Sequence, residues 1–265
     1  MALDKDLQSI QEMRELVQKA KQAQLEFRAY DQTRVDRICR AMADAGYEAA
    51  EKLARMAHEE TGFGNPDDKK KKNEFATRRV CESIRDLRSV GVIREDREKR
   101  IIEIAEPMGV VAALIPSTNP TSTMMFKAII SLKGRNAIVA SPHPKAVKCT
   151  MEAAHIISQA AEAAGAPQGL IQCLSIPTIE ATNALMKHKE IAVILATGST
   201  QMVKAAYSSG KPAYGVGPGN VPAYIEKTAN IKKAVADIVT GKTFDLGVLC
   251  STEASVIVDS AIKNA

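Results

Sequence analysis

The sequence predicts an α/β chain built on a parallel, doubly wound sheet, and three observations point to it. Aromatic residues make up 4% of the chain and Trp is missing, while Ala, Val and Ile abound, so the core must consist of thin aliphatic layers like those between a sheet and its helices. The runs GVVAALIP, NAIVASP, LIQCLSIP and IAVILATG are short, apolar and β-rich, as strands buried on both faces must be. Each ends in a Pro or Gly turn and is followed by a helical stretch, the alternation that makes βαβ units. Ligands of such a sheet belong at the carboxyl ends of its strands.

The elements follow in order. From Leu3 to about Gly46, Leu7, Ile10, Met13, Leu16 and Val17, then Val35, Ile38, Met42 and Ala45, recur at three and four, which gives two amphipathic helices. A third covers roughly Glu48 to Glu60 and stops at TGFGNP, where two Gly and a Pro break it. A fourth spans about Asp67 to Ser89, and VIREDREKR follows as a charged connector into the half-exposed strand IIEIAEP. Between the buried strands lie helices at about Thr121 to Lys133, Lys145 to Ala164, Ile179 to Lys187 and Thr200 to Ser208, with Gly134, Gly165 and Gly210 as C-terminal caps.

Composition excludes several function classes. The net charge of +5 is diluted among acids, and no aromatic residues interleave with the Lys69 to Lys72 run as a base-stacking surface needs, so that run reads as a solvated helix face and no nucleic acid is expected. MALDKDLQSI carries acids where a signal peptide is basic and then apolar, and Gly109 to Ile115 is too short to cross a bilayer. A cytoplasmic chain without membrane partners is expected. The five cysteines (39, 81, 149, 173, 250) form no CxxC pair or even framework and stay thiols in a reducing compartment. No metal site is expected.

Ligands are expected to meet first the loops at the strand ends, IPSTNPTS, ASPHPKA, SIPTIE and ATGSTQM. In ATGSTQMV, Gly198, Ser199 and Thr200 sit between a strand and a helix, which suits either a phosphate or a plain helix cap. Asn119 in PSTNPTS is flanked by Pro116 and Pro120, which stiffen the loop, and reads equally as a turn residue or an oxyanion donor. GVGPGNVP lets the backbone press against something flat or simply turn. Of the histidines, only His143 in SPHPK lies in such a loop; His58, His155 and His188 read as solvated or core groups. Cys39, Cys81, Cys149 and Cys173 read as small core hydrophobes. Cys250, in TFDLGVLCSTEASVIV, reads either way: core filler, or a reactive thiol at a turn before a strand.

Taken together, EPMGVVAALIPSTNPTSTMMFKAIISLKGRNAIVASPHP, ILATGSTQMVKAAYSSGKPAYGVGPGNVP and KTFDLGVLCSTEASVIV resemble, in order and spacing, the aldehyde dehydrogenase superfamily. The resemblance is closest to its CoA-acylating branch, and within that to the aldehyde dehydrogenase half of bifunctional aldehyde/alcohol dehydrogenases. It implies a Rossmann-like sheet with an NAD-binding domain at 1–240 and the start of a catalytic domain at 241–265. Position by position it implies Cys250 as nucleophile and Asn119 as oxyanion-hole amide. Cofactor contacts are implied at Pro116, Ser117 and Thr118; at Ser141, His143 and Pro144; at Thr197, Gly198, Ser199 and Val203; and at Gly215, Val216 and Gly217. The pyrophosphate would lie near the ATGST turn and the nicotinamide beside GVGPGN.

The implied chemistry is attack of the Cys250 thiolate on an aldehyde, hydride transfer to NAD and an acyl thioester on Cys250. Hydrolytic relatives place a water-activating Glu in the segment matching GVGPGN, and this sequence has no carboxylate between Gly210 and Tyr224. Coenzyme A is therefore expected to release the acyl group; the small aldehyde is by resemblance a short-chain one, and a sulfonated or otherwise acidic small aldehyde suits the basic chain about as well. Other readings are an acyl-phosphate reductase of the same superfamily and a catalytically incomplete assembly module. A homo-oligomer or filament is expected for the full-length protein. The family's catalytic domain mostly follows the nucleophile, so a chain that stops at Ala265 is expected to be a fragment with exposed apolar surface.

Overall fold

The computed structural model describes residues 4–264. Helices α1 (Lys5–Phe27) and α2 (Gln32–Glu48) open the chain, capped by the side chains of Asp4 and Asp31, which accept from Asp6 N and Arg34 N. Their buried faces carry Met13, Val17 and Ala20, and Val35, Ile38 and Met42, at the expected spacing. Helix α3 (Ala50–Thr61) ends where Gly62 turns left-handed at φ 71°. The expected fourth helix is divided into α4 (Pro66–Glu74), one wide π turn at Phe75–Arg79, and α5 (Val80–Ile84).

The charged connector is corrected by the structure. Its first part belongs to β1 (Gly91–Asp96), which pairs antiparallel with β2 (Ile101–Ala105). Charges that suggested a linker line an exposed ribbon instead, with Arg94 and Glu103 3.3 Å apart across the strands.

The main sheet consists of β3 (Val110–Ile115), β4 (Ala137–Pro142), β5 (Ile171–Cys173), β6 (Ile191–Thr197) and β7 (Ala213–Val216), in the order β5-β4-β3-β6-β7 with all pairs parallel. Every residue of β3 is buried, as the apolar run requires. The intervening helices are α6 (Pro120–Lys133), α7 (Val147–Ala163), α8 (Ile179–Lys187) and α9 (Thr200–Tyr207). Helices α6 and α7 pack with α2 on one face, and α1 and α8 pack on the other. Gly165 and Gly210 are left-handed at φ 96° and 82°. Gly134 is the C-cap of α6 as expected, at φ −87°, and the left-handed residue there is Arg135 at φ 57°, held by guanidinium bonds to the carbonyls of Arg28 and Ala105 at 2.7 and 2.8 Å.

Beyond β7 lie β8 (Val221–Ile225), α10 (Ile231–Thr243) and β9 (Glu253–Val258), with β8 and β9 forming a separate parallel pair. Sequence periodicity did not disclose α10, which buries none of its residues. The expected boundary at 240 falls inside α10, while β8 before it pairs with β9 after it. Val256, Ile257 and Val258 of β9 are 41–52% exposed, an uncovered apolar strand.

Candidate functional site

The chain runs from β3 outward through β4 to β5, then returns to add β6 and β7 on the other side. The strand order reverses at β3 and β6, and the crevice outside their carboxyl ends is where a doubly wound sheet takes its ligands. Register aligns Ser141 with Leu114, Leu114 with Ala196, and Ala196 with Gly215. The loops after β3, β4, β6 and β7 therefore leave from one edge, side by side, and SIPTIE follows β5 at that same edge. His143 N donates to Ile115 O at 2.9 Å, and Gly198 N donates to Val216 O at 3.2 Å, tying adjacent loops together.

Asn119 is the N-cap residue of α6, with Pro120 at the helix's first position. Its side chain does not cap the helix. Instead Asn119 Oδ1 accepts from Lys72 Nζ, and Nδ2 donates to Thr118 Oγ1 at 3.3 Å. Lys72 also donates to Asp245 Oδ2. Lys69, one turn earlier, donates to Thr118 O at 2.9 Å and reaches Asp245 Oδ2 at 3.4 Å.

These contacts correct the reading of the Lys69 to Lys72 run as a solvated face. Lys70 and Lys71 fit it, with side chains 42% and 65% exposed, but Lys69 and Lys72 are 3% and 10% exposed and point inward. The i, i+3 spacing puts those two on one face of α4. Desolvation and the neighbouring Lys69 charge push Lys72 down to about 8.

Asp245 is fully buried, five positions before Cys250. Its Oδ1 accepts from Asn65 N at 2.9 Å, and its own N donates to Asp68 Oδ2 at 2.9 Å. Asn65 and Asp68 bond reciprocally, Asp68 N to Asn65 Oδ1 at 2.9 Å and Asn65 Nδ2 to Asp68 Oδ2 at 2.8 Å, a cap at the start of α4. Gly64, at φ 62°, is required here, because a Cβ would stand 1.9 Å from Asp245 Oδ1. Asp245 and Leu246 are themselves left-handed at φ 49° and 56°, which costs roughly 1–3 kcal/mol per residue and persists only where the surroundings impose it.

The turn held this way carries Cys250, which is exposed. The other thiols are not placed to react. Burial pushes Cys39 and Cys173 up to about 12 and also raises Cys81 and Cys149. Sequence pattern left Cys250 open between filler and reagent; in the structure it is the exposed thiol, while the other four are buried or half-buried.

The predicted cofactor loops differ in how open they are. At α9, Ser199 caps Met202 N at 3.3 Å, and the first N–H groups of the helix have no intrahelical acceptor. With Ser199 and Thr200 exposed at the crevice, that end suits a phosphate. The helix after β4 is closed: Glu60 of α3 accepts from Lys148 N and Cys149 N at 2.8 and 2.7 Å. At the end of β4 Ser141 is buried against Thr182 Oγ1 at 2.8 Å, whereas His143, in the loop that follows, is exposed, accepts from Lys145 N at 3.1 Å and is lowered by partial burial and Lys145. Pro116 is buried, and Ser117, Thr118, Thr197, Val203, Gly215 and Gly217 are partly buried beside the crevice, with Val216 and Pro144 exposed.

Lys127 was not foreseen. It lies within α6, 2% exposed, and donates to the carbonyls of Leu114 and Leu195 at 2.8 Å each, beneath the ends of β3 and β6. Burial pushes it down to about 7, and among the described residues no carboxylate pairs with it. Its only sequence signal is a lysine on an otherwise apolar helix face.

The aldehyde dehydrogenase family model matches residues 6–265. Over 257 residues the chain is 49% identical to the bifunctional aldehyde-alcohol dehydrogenase of Escherichia coli (strain K12), covering 97% of this chain and 29% of that protein. Its fold matches the crystal structure of an acetylating aldehyde dehydrogenase from Geobacillus thermoglucosidasius with TM-score 0.96 and 59% identity, over 99% of this chain and 58% of that one. A propionaldehyde dehydrogenase from Rhodopseudomonas palustris, solved with bound CoA and an acylated cysteine, matches with TM-score 0.84 and 34% identity over 95% of this chain and 57% of that one. The chain thus spans about three-tenths of the bifunctional relative's length and somewhat over half of each solved structure. A family match running from the first helix to the last residue, on a sheet whose reversal point holds the motif residues, means that this chain belongs to the aldehyde dehydrogenase family.

Proposed function

We propose that this chain carries the nucleophile, the oxyanion amide and the nucleotide edge of a CoA-acylating aldehyde dehydrogenase that converts aldehyde, CoA and NAD⁺ to acyl-CoA, NADH and a proton. The observation that carries this reading is the link between its two reactive groups. Cys250, an exposed thiol among four buried or half-buried ones, follows the turn anchored by Asp245, and Asp245 shares Lys72 with Asn119.

In this reading the Cys250 sulfur adds to the aldehyde carbonyl, and the resulting alkoxide is met by Asn119 Nδ2 and the Cys250 N–H. Losing one such donor costs about 3–4 kcal/mol of barrier. Gly215 and Gly217 would flank a bound nicotinamide, which would accept the hydride, and the open end of α9 would take the cofactor's phosphates. Collapse leaves an acyl thioester on Cys250. No carboxylate occurs between Gly210 and Tyr224 to activate water, so the thiolate of CoA attacks the thioester and Cys250 leaves as thiolate. The acylated cysteine and CoA of the Rhodopseudomonas palustris relative support both half-reactions. A reducing, cytoplasmic setting and a short-chain aldehyde complete the reading.

The test is mass spectrometry of the longest expressed form containing these residues, quenched with aldehyde and NAD⁺ present. An acyl adduct on Cys250 that CoA discharges, and phosphate does not, is expected. Brisk carboxylate formation without CoA would overturn the reading.

A further inference from the structure

The amide of an asparagine presents nearly identical shapes in its two flipped orientations, so an oxyanion donor needs something that distinguishes Oδ1 from Nδ2. Lys72 does so. An ammonium has donors and no acceptor, so its contact with Asn119 is possible only through Oδ1, and the Nδ2 donors must point away from it. The ammonium is itself fixed, because its second contact is the Asp245 carboxylate, held in turn by Asn65 N and Lys69.

We propose that Lys72 is a positioning residue for Asn119, setting which face of the amide meets the developing alkoxide, and that Asp245 couples this setting to the turn leading into Cys250. The inference rests on the functional reading above. A purely structural ion pair would not need this arrangement. Lys69 already reaches Asp245 and ties down Thr118 O at 2.9 Å. A second ammonium on the same buried carboxylate adds like-charge repulsion and desolvation, which weaken stability. What the second ammonium adds is the bond to Asn119. Nothing in the sequence joins these groups, since Lys72 and Asp245 are 173 positions apart.

A double-mutant cycle tests this, with acyl-CoA formation normalised to the Cys250 sites titrated by alkylation. Lys72→Met should lower kcat between about tenfold and a hundredfold, the scale of a catalytic group misplaced by an ångström, with aldehyde KM within about threefold of wild type. In an Asn119→Ala background the same substitution should change kcat less than about twofold, because no amide remains to be set. Equal losses in both backgrounds would overturn the proposal, since a structural role does not depend on Asn119. If Lys72→Met does not fold, Asp245→Asn, which keeps an acceptor for Lys72, is run through the same cycle with a smaller loss expected and the same criterion. A wild-type protein that forms no Cys250 adduct sinks the functional reading and this inference with it; an active wild type with an additive cycle sinks only the inference.

Discussion

A Cβ on Gly219 would stand 2.2 Å from the carbonyl oxygen of Cys250. The loop between β7 and β8 therefore presses directly on the turn that presents the thiol, with no room for a methyl group. Gly219→Ala must displace one of the two backbones. Because both loops lie at the surface, the strain should fall on the site and not on the core. We expect at least about a tenfold slower alkylation of Cys250, scaled as for a misplaced reacting group, with a melting temperature close to that of the parent. An unchanged alkylation rate would mean that the two loops separate freely.

Thiol reactivity should sort by burial. Limiting iodoacetamide at pH 8 should label Cys250 first and nearly alone, because the burial that raises Cys39, Cys81, Cys149 and Cys173 also withholds their thiolates. Peptide mapping reads the result, and Cys250→Ser should abolish the early label. Equal early labelling of Cys81, the least buried of the four by environment, would contradict the assignment.

What the sequence disclosed, and what it concealed, follows from where the information resides. The strands of the main sheet were legible because burial on both faces leaves an unbroken apolar run, as in β3. Helix α10 was not, because Val235 and Val239 are 49% and 54% exposed and no packed face imposes a strong period on it. Strand β1 was hidden by charges that an exposed ribbon tolerates. At the site, Cys250 and Asn119 stood out only through resemblance to a family. Lys69, Lys72 and Asp245 did not stand out at all, since a lysine run ordinarily faces water and its acid lies far down the chain.

The helix after β4 offers a test of electrostatics at a closed end. Glu60 accepts from two first-turn N–H groups of α7, acting from α3 as a cap would. Glu60→Ala should cost about 1 kcal/mol, the usual worth of such a cap. Chemical denaturation measures it, and Glu60→Gln should recover part of the loss by keeping an acceptor while losing the charge. A loss no greater than that of a surface substitution would show that solvent replaces the carboxylate without penalty.

Lys127 predicts an unusual pH dependence of stability. A neutral amine has two N–H donors, and the structure gives it two acceptors, Leu114 O and Leu195 O, with no carboxylate to favour the charged form. Its folded value, about 7, lies below the unfolded value near ~10.4. Between these limits the unfolded chain holds more protons than the folded one, so stability should rise with pH from about 7 to about 10. The full window corresponds to roughly 5 kcal/mol, lessened if the interior relaxes around the charge. Lys127→Met removes the titration and should flatten that rise, although two strand carbonyls are then left without their donor. Urea denaturation of both proteins at pH 7 and pH 9.5 reads the difference of differences, which cancels groups titrating alike in the two. A parent whose advantage over Lys127→Met does not grow with pH would show that the lysine is charged at neutrality, paired with water the strands admit.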